Sequence, residues 1–135
     1  ELGKRYGEGP IRIGDIAEAQ AIPQRFLELI LRQLRQGGFV ESRRGIHGGY
    51  LLPVPPSELS VGQIISFIDG DPNPVQCLGS EASATHCALH GRCPFMGLWA
   101  KARDAINKVY DETTFQNLID EDRTMNQHHI TDFCI

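Results

Sequence analysis

The residue pattern predicts a mainly α-helical fold with one small β-hairpin, namely a winged helix-turn-helix followed by a long C-terminal dimerisation helix. Three observations carry that expectation. Two apolar repeats at helical spacing lie back to back between residues 13 and 36. Two strand-like runs then flank the glycine-rich segment Gly45-Ile46-His47-Gly48-Gly49. Finally, a separate apolar stripe from Leu98 to Tyr110 follows a loop that holds three of the four cysteines.

The chain has 135 residues, 41% of them hydrophobic, enough to build a core in one domain or in one small domain with an extension. Nothing resembles a signal peptide, and no apolar run approaches the roughly 18 residues of a membrane span. The expectation is an intracellular, cytoplasmic protein without membrane attachment, in which disulfides do not persist. The formal net charge is −4, which at first argues against nucleic acid, but its distribution does not. Residues 22–50 hold five arginines (Arg25, Arg32, Arg35, Arg43, Arg44) against Glu28 and Glu41, a balance of +3. A local basic patch on an acidic chain is compatible with a DNA-reading face as well as with a solvated helix.

Glu1 to Tyr6 has the character of the tail of a helix, and Gly7 to Pro10 of a turn, so residues upstream of Glu1 are expected to complete that element. Ile13, Ile16, Ala17 and Ala21 predict a short helix over about 14–20. Pro23 suits the first turn of a second helix, whose apolar face is Ile22, Phe26, Leu27, Ile30, Leu31 and Leu34, with Arg25, Glu28, Arg32 and Arg35 largely on the other side. Gly37 and Gly38 end it. Phe39–Arg43 and Tyr50–Leu52 are the strands, and Pro53, Pro55 and Pro56 stop the second. The glycine-rich turn lacks the lysine and serine or threonine of a phosphate-binding loop, and no helix opens after it.

Ser60-Val-Gly-Gln63 has capping-box form and opens a helix through Phe67. Asp69–Pro74 is a linker. Pro94 starts the long helix bearing Leu98, Trp99, Ala102, Ile106, Val109 and Tyr110, a stripe that needs a partner to cover it. Thr113 or Thr114 caps a last, short helix. The boundaries expected are 1–68 for the winged helix-turn-helix, 69–93 for the linker and cysteine loop, 94–122 for the dimerisation helices and 123–135 for a polar tail.

Cys77, Cys87 and Cys93 are spaced C-x9-C-x5-C in that loop. Thiolates are soft ligands suited to zinc and iron–sulfur clusters, and a loop lets sulfurs at such spacings converge. Redox thiols and buried structural cysteines are the other readings. Cys134, beside the C-terminus, is expected to stand apart, and His128 and His129 fall in the polar tail.

The segment Ile22-Pro-Gln-Arg-Phe-Leu-Glu28-Leu, followed by Leu34-Arg35-Gln-Gly-Gly-Phe-Val40-Glu-Ser-Arg-Arg44-Gly-Ile-His-Gly-Gly-Tyr50-Leu-Leu, resembles the Rrf2 family of bacterial transcription regulators. With three cysteines and then Leu98-Trp99 downstream, it is similar to the cluster-sensing branch of that family, iron–sulfur cluster regulators and nitric-oxide-sensitive repressors, over about residues 1–120. The resemblance implies a homodimer held by the long helix, binding of double-stranded DNA through the second helix and the wing, and an iron–sulfur cluster on Cys77, Cys87 and Cys93. This chain departs from the pattern in its nine-residue first cysteine gap. Where the branch often has a histidine three residues after the third cysteine, this chain has Met96, and the branch's alternative acidic ligand would fall before Glu1. His90, between Cys87 and Cys93, is a local alternative, while His86 and His90 both read first as loop residues or as partners of the ligands, so the choice between a 2Fe-2S and a 4Fe-4S cluster stays open.

The parts suggest specific roles. Arg25 can donate to guanine, Glu28 can accept from cytosine and Gln24 can read adenine. Arg43, Arg44 and His47 on the wing can reach phosphate or the minor groove, and two-fold symmetry predicts a near-palindromic operator. The rival readings are a zinc-stabilised winged helix, a thiol-redox regulator without metal, and an electron carrier or enzyme. The last is weakened by the absence of a defensible catalytic constellation.

Overall fold

The computed structural model describes residues 1–70, 72–79 and 87–132, with side chains through Gln127. His86 and Cys134 lie outside the described residues, and so do the side chains of His128 and His129. The chain forms two compact units, residues 1–60 with 114–135, and residues 61–113.

In the first unit, helix α1 (Ile13–Ala19) and helix α2 (Gln24–Gln36) pack against each other. Leu27, Leu31 and Leu34 recur at intervals of four and three, so they line one side of α2. Leu27 and Leu31 join Ile11, Ile16 and Val40 in a buried core, with Leu34, Tyr50 and Leu52 packed at its edge. Strand β1 (Glu41–Arg43) and strand β2 (Gly49–Leu51) form the hairpin, antiparallel, with Ser42 opposite Tyr50 and Arg43 opposite Gly49. Ile11 exchanges two backbone hydrogen bonds with Tyr50, each 2.8 Å, and so ties the hairpin to the chain ahead of α1. Gly49 has to be glycine for this, because a Cβ there would run into the Ile11 carbonyl.

The last helix, α5 (Phe115–Asp132), also belongs to this unit. Thr114 opens it as the sequence suggested: its hydroxyl accepts the Asn117 N–H at 3.2 Å, and the Asn117 side-chain oxygen accepts the Thr114 N–H at 2.9 Å. This is a reciprocal cap. At 18 residues the helix is not short, and it continues through most of the segment expected to be a tail. Its Ile119 is buried, and Lys4 pairs with Asp122 at 2.6 Å.

In the second unit, helix α3 (Val61–Asp69) packs on helix α4 (Met96–Glu112), with buried Gly62 against Asp111. Helix α4 starts two residues beyond Pro94. Between them lies a 3-10 turn over Gln76–Leu78. Among the described residues, no helix is long and apolar enough to cross a membrane.

Candidate nucleic-acid interface

The exposed side of α2 and the hairpin share one surface. Two adjoining grooves run along it. One, about 320 Å³, is lined by Ile13, Glu28, Arg32, Arg35 and Tyr50. The other, about 520 Å³, is lined by Arg12, Arg35, Ser42, Arg43, Arg44 and the backbone of the glycine-rich turn. Both are walled by guanidinium groups, with Glu28 as the acidic member.

Two hydrogen bonds set the hairpin against the helical part. Arg35 of α2 donates to the Ser42 hydroxyl of β1 at 3.1 Å. Arg12, just ahead of α1, donates to the Ile46 carbonyl at the tip of the turn, also at 3.1 Å. Gly45 supports that tip with a φ of +109°, a conformation that side-chain-bearing residues rarely adopt. The Ile46 side chain is 83% exposed, so the tip projects into solvent.

Gln24, Arg25, Glu28, Arg43, Arg44 and His47 are all exposed. Gln24 and Glu28 approach each other at 3.5 Å, too long for a strong bond, which leaves both groups able to turn to a partner. Among the described residues, Arg25, Arg32, Arg43 and Arg44 make no ion pair with a carboxylate. Unpaired guanidinium groups on one face create a positive potential that an anionic partner can neutralise. Arg12 and Ser42 escaped the sequence reading. Their roles depend on contacts 34 and 7 residues away, for which no local pattern exists.

The cysteines present a different picture. Cys77, Cys87 and Cys93 are half-buried free thiols. Cys77 sits in the 3-10 turn, the Cys87 carbonyl accepts the His90 N–H at 2.9 Å, and Cys93 stands three residues before α4. His90 is exposed. The donor chemistry suits a soft metal or cluster, yet among the described residues no three histidine, cysteine, aspartate or glutamate side chains are gathered around one point. The donors fit in kind and are not assembled.

Helix α4 adds an uncovered apolar stripe. Leu98 and Val109 are 56% and 61% exposed, and Ile106 between them is partly so.

Residues 1–121 match the model of the family described as Rrf2, iron-dependent transcriptional regulator. The chain belongs to the Rrf2 family of transcriptional regulators. It is 36% identical over 118 residues to the HTH-type transcriptional regulator CymR of Bacillus subtilis, spanning 87% of this chain and 78% of that one. To the HTH-type regulator IscR of Pectobacterium atrosepticum it is 34% identical over 119 residues, 88% and 70% of the two chains. Among solved structures, CymR, the global cysteine regulator of B. subtilis, superposes with a TM-score of 0.70 at 34% identity, covering 89% of this chain and 85% of that one. T. potens IscR gives 0.65 at 28%, covering 89% and 76%. An oxidized form of Staphylococcus aureus CymR gives 0.61 at 33%, covering 87% and 83%. The winged-helix fold is thus that of Rrf2 regulators, and the protein is a DNA-binding transcriptional regulator rather than an enzyme.

Proposed function

We propose that this Rrf2 regulator binds a near-palindromic DNA site as a homodimer and responds to iron, redox state or nitric oxide through a cluster held by Cys77, Cys87 and Cys93. One observation supports the DNA reading most strongly: an exposed, arginine-rich face of α2 is bonded to the hairpin through Arg35 and Ser42. In this reading α2 enters the major groove, where Gln24, Arg25 and Glu28 meet base edges. Arg43, Arg44 and His47 follow the backbone and fix register. Residues 1–68 serve as the DNA-binding region, 69–93 as the sensing segment and 94–122 as the dimerisation region. The Leu98–Val109 stripe supports the dimer, because it has the form of half a helix–helix contact.

Three free thiols in one segment support the cluster reading. When bound, a cluster supplies iron whose redox state and ligands change with oxygen or nitric oxide. The chain's own contribution is to bring three thiolates together and to leave a fourth position for a non-cysteine ligand, with His90 as the local candidate. Gathering the thiolates would draw the start of α4 and the turn after α3 into one arrangement.

A second reading has its own support. The similarity to a cysteine regulator, one of whose relatives was solved in an oxidized form, and the unassembled thiols favour a sensor working by thiol oxidation without metal. Iron content and visible absorbance of protein purified without oxygen separate the two. A brown protein that bleaches in air, loses most of its iron in Cys77→Ala, Cys87→Ala or Cys93→Ala and keeps it in Cys134→Ser supports the cluster. A colourless parent whose loop cysteines alkylate readily supports the thiol reading. On DNA, Arg44→Ala should weaken binding to all sequences and flatten the salt slope by about one. Glu28→Ala should relax base preference, at about 1–3 kcal/mol of discrimination. If both bind as the parent does, this face is not the reader.

A further inference from the structure

Helix α2 carries an apolar side chain that the fold does not use. Arg25, Leu29, Arg32 and Gln36 follow one another at intervals of four, three and four, so they form a single stripe. All four are exposed, and the stripe lies opposite the buried Leu27 and Leu31. Leu29 is 57% exposed at its centre, one turn after Arg25 and one turn before Arg32.

Phe26, beside this stripe, is 59% exposed as well, and an exposed leucine needs no explanation on an ordinary surface. This one sits between two cations that form no ion pair among the described residues. Their charge disfavours an apolar protein partner and favours a polyanion. Against DNA, the arginines draw the stripe onto the duplex and Leu29 meets whatever lies between them. The major groove offers one apolar feature on its base edges, the C5-methyl group of thymine.

We propose that Leu29 is a specificity residue that packs on the C5-methyl group of one thymine in each half-site. The inference rests on the reading that α2 enters the major groove. It predicts a preference for thymine at a position that hydrogen-bonding side chains alone would not fix.

The test uses the full chain, in both its anaerobically purified and metal-free forms, to select sites from a random duplex pool of unmodified bases. Each thymine of the selected site is then replaced by deoxyuridine, which removes the methyl group and keeps the hydrogen-bonding edge. One thymine per half-site should lose about four-fold in affinity for the parent, the worth of burying one carbon group. Leu29→Ala should bind the thymine and uracil versions of that position equally. The proposal is overturned if every uracil replacement is neutral for the parent, a comparison that needs no variant. It is equally overturned if Leu29→Ala keeps the parent's preference for thymine. If neither form enriches any site, or if Arg25→Ala and Arg44→Ala bind as the parent does, the DNA face itself is wrong and Leu29 falls with it. Enrichment of a site that is indifferent to uracil removes Leu29 alone.

Discussion

The two units of this chain are finished to different degrees. In the first, each proposed DNA-contacting element is held by the unit's own contacts. The core of Ile11, Ile16, Leu27, Leu31 and Val40 seats α1 and α2, the Ile11–Tyr50 bridge anchors the hairpin, and Arg12 and Arg35 set its tip and its first strand. In the second, α3 packs on α4, yet the apolar stripe of α4 faces solvent and the three thiols are not gathered. The difference separates a surface whose elements are bonded to one another from a segment whose apolar stripe is exposed and whose thiols stand apart. Reading base edges requires side chains fixed in register before DNA arrives, since ordering them on binding costs affinity. A sensor gains from a segment whose arrangement depends on what it binds.

That contrast is broken most severely by striking the first unit at its centre. Leu31 is 3% exposed, and Leu31→Ala should cost about 2–5 kcal/mol, a large share of the stability of a small domain. Urea unfolding followed by circular dichroism measures it. A loss below about 1 kcal/mol would mean that this core does not hold the unit. The second unit should fail differently. Leu98→Asp places a charge on an already exposed position, so helix content should stay the same while the dimer weakens by a few kcal/mol through burial of an unpaired charge. Light scattering should shift from about twice 15.0 kDa toward 15.0 kDa. A parent that is already monomeric removes both the dimer and the palindrome.

Much of the first unit was legible before the structure because its signals are local. The intervals in Leu27, Leu31 and Leu34, the Gly37–Gly38 stop and the glycine-rich turn between two short strands each act within a few residues. The helix and hairpin ends moved by only a residue or two. Arg12 and Ser42 were invisible because their partners are distant in the chain. The length of α5 was missed because its second half is polar, and polarity on a helix stabilised by pairs such as Gln116–Asp120 and Asn126–Asp122 resembles a solvated tail. The cysteine spacing showed which donors exist but carried no information on whether they meet.

The Thr114 cap sharpens the boundary between the units. It opens α5, which belongs with the first unit although it directly follows α4. Thr114→Ala removes the hydroxyl that accepts the Asn117 N–H and should cost about 1 kcal/mol of stability without changing the oligomeric state. A shift in the light-scattering mass of this variant would tie α5 to assembly and blur the division.

Ser42 offers the smallest effect on stability and the finest test of the comparison. Its hydroxyl accepts from Arg35 on the surface, where water can replace either partner. Ser42→Ala should therefore change unfolding free energy by no more than about 0.5 kcal/mol. The consequence should appear in binding instead. Without that bond the hairpin is free to shift relative to α2, and the Arg35 side chain loses its fixed position on the groove wall. Ordering both then has to accompany DNA binding, at about 0.5–1.5 kcal/mol for an immobilised long side chain. DNA affinity should fall by a few-fold, with base preference at the Glu28 position retained, because Glu28 sits on α2 itself. Arg35→Ala should reproduce the loss of affinity, and the double variant should show it once rather than twice, as expected for two members of one contact. Full affinity in Ser42→Ala would mean that the hairpin is placed by the Ile11–Tyr50 bridge and the Arg12–Ile46 bond alone. Losses that add in the double variant would mean that Arg35 meets DNA directly, independently of the wing.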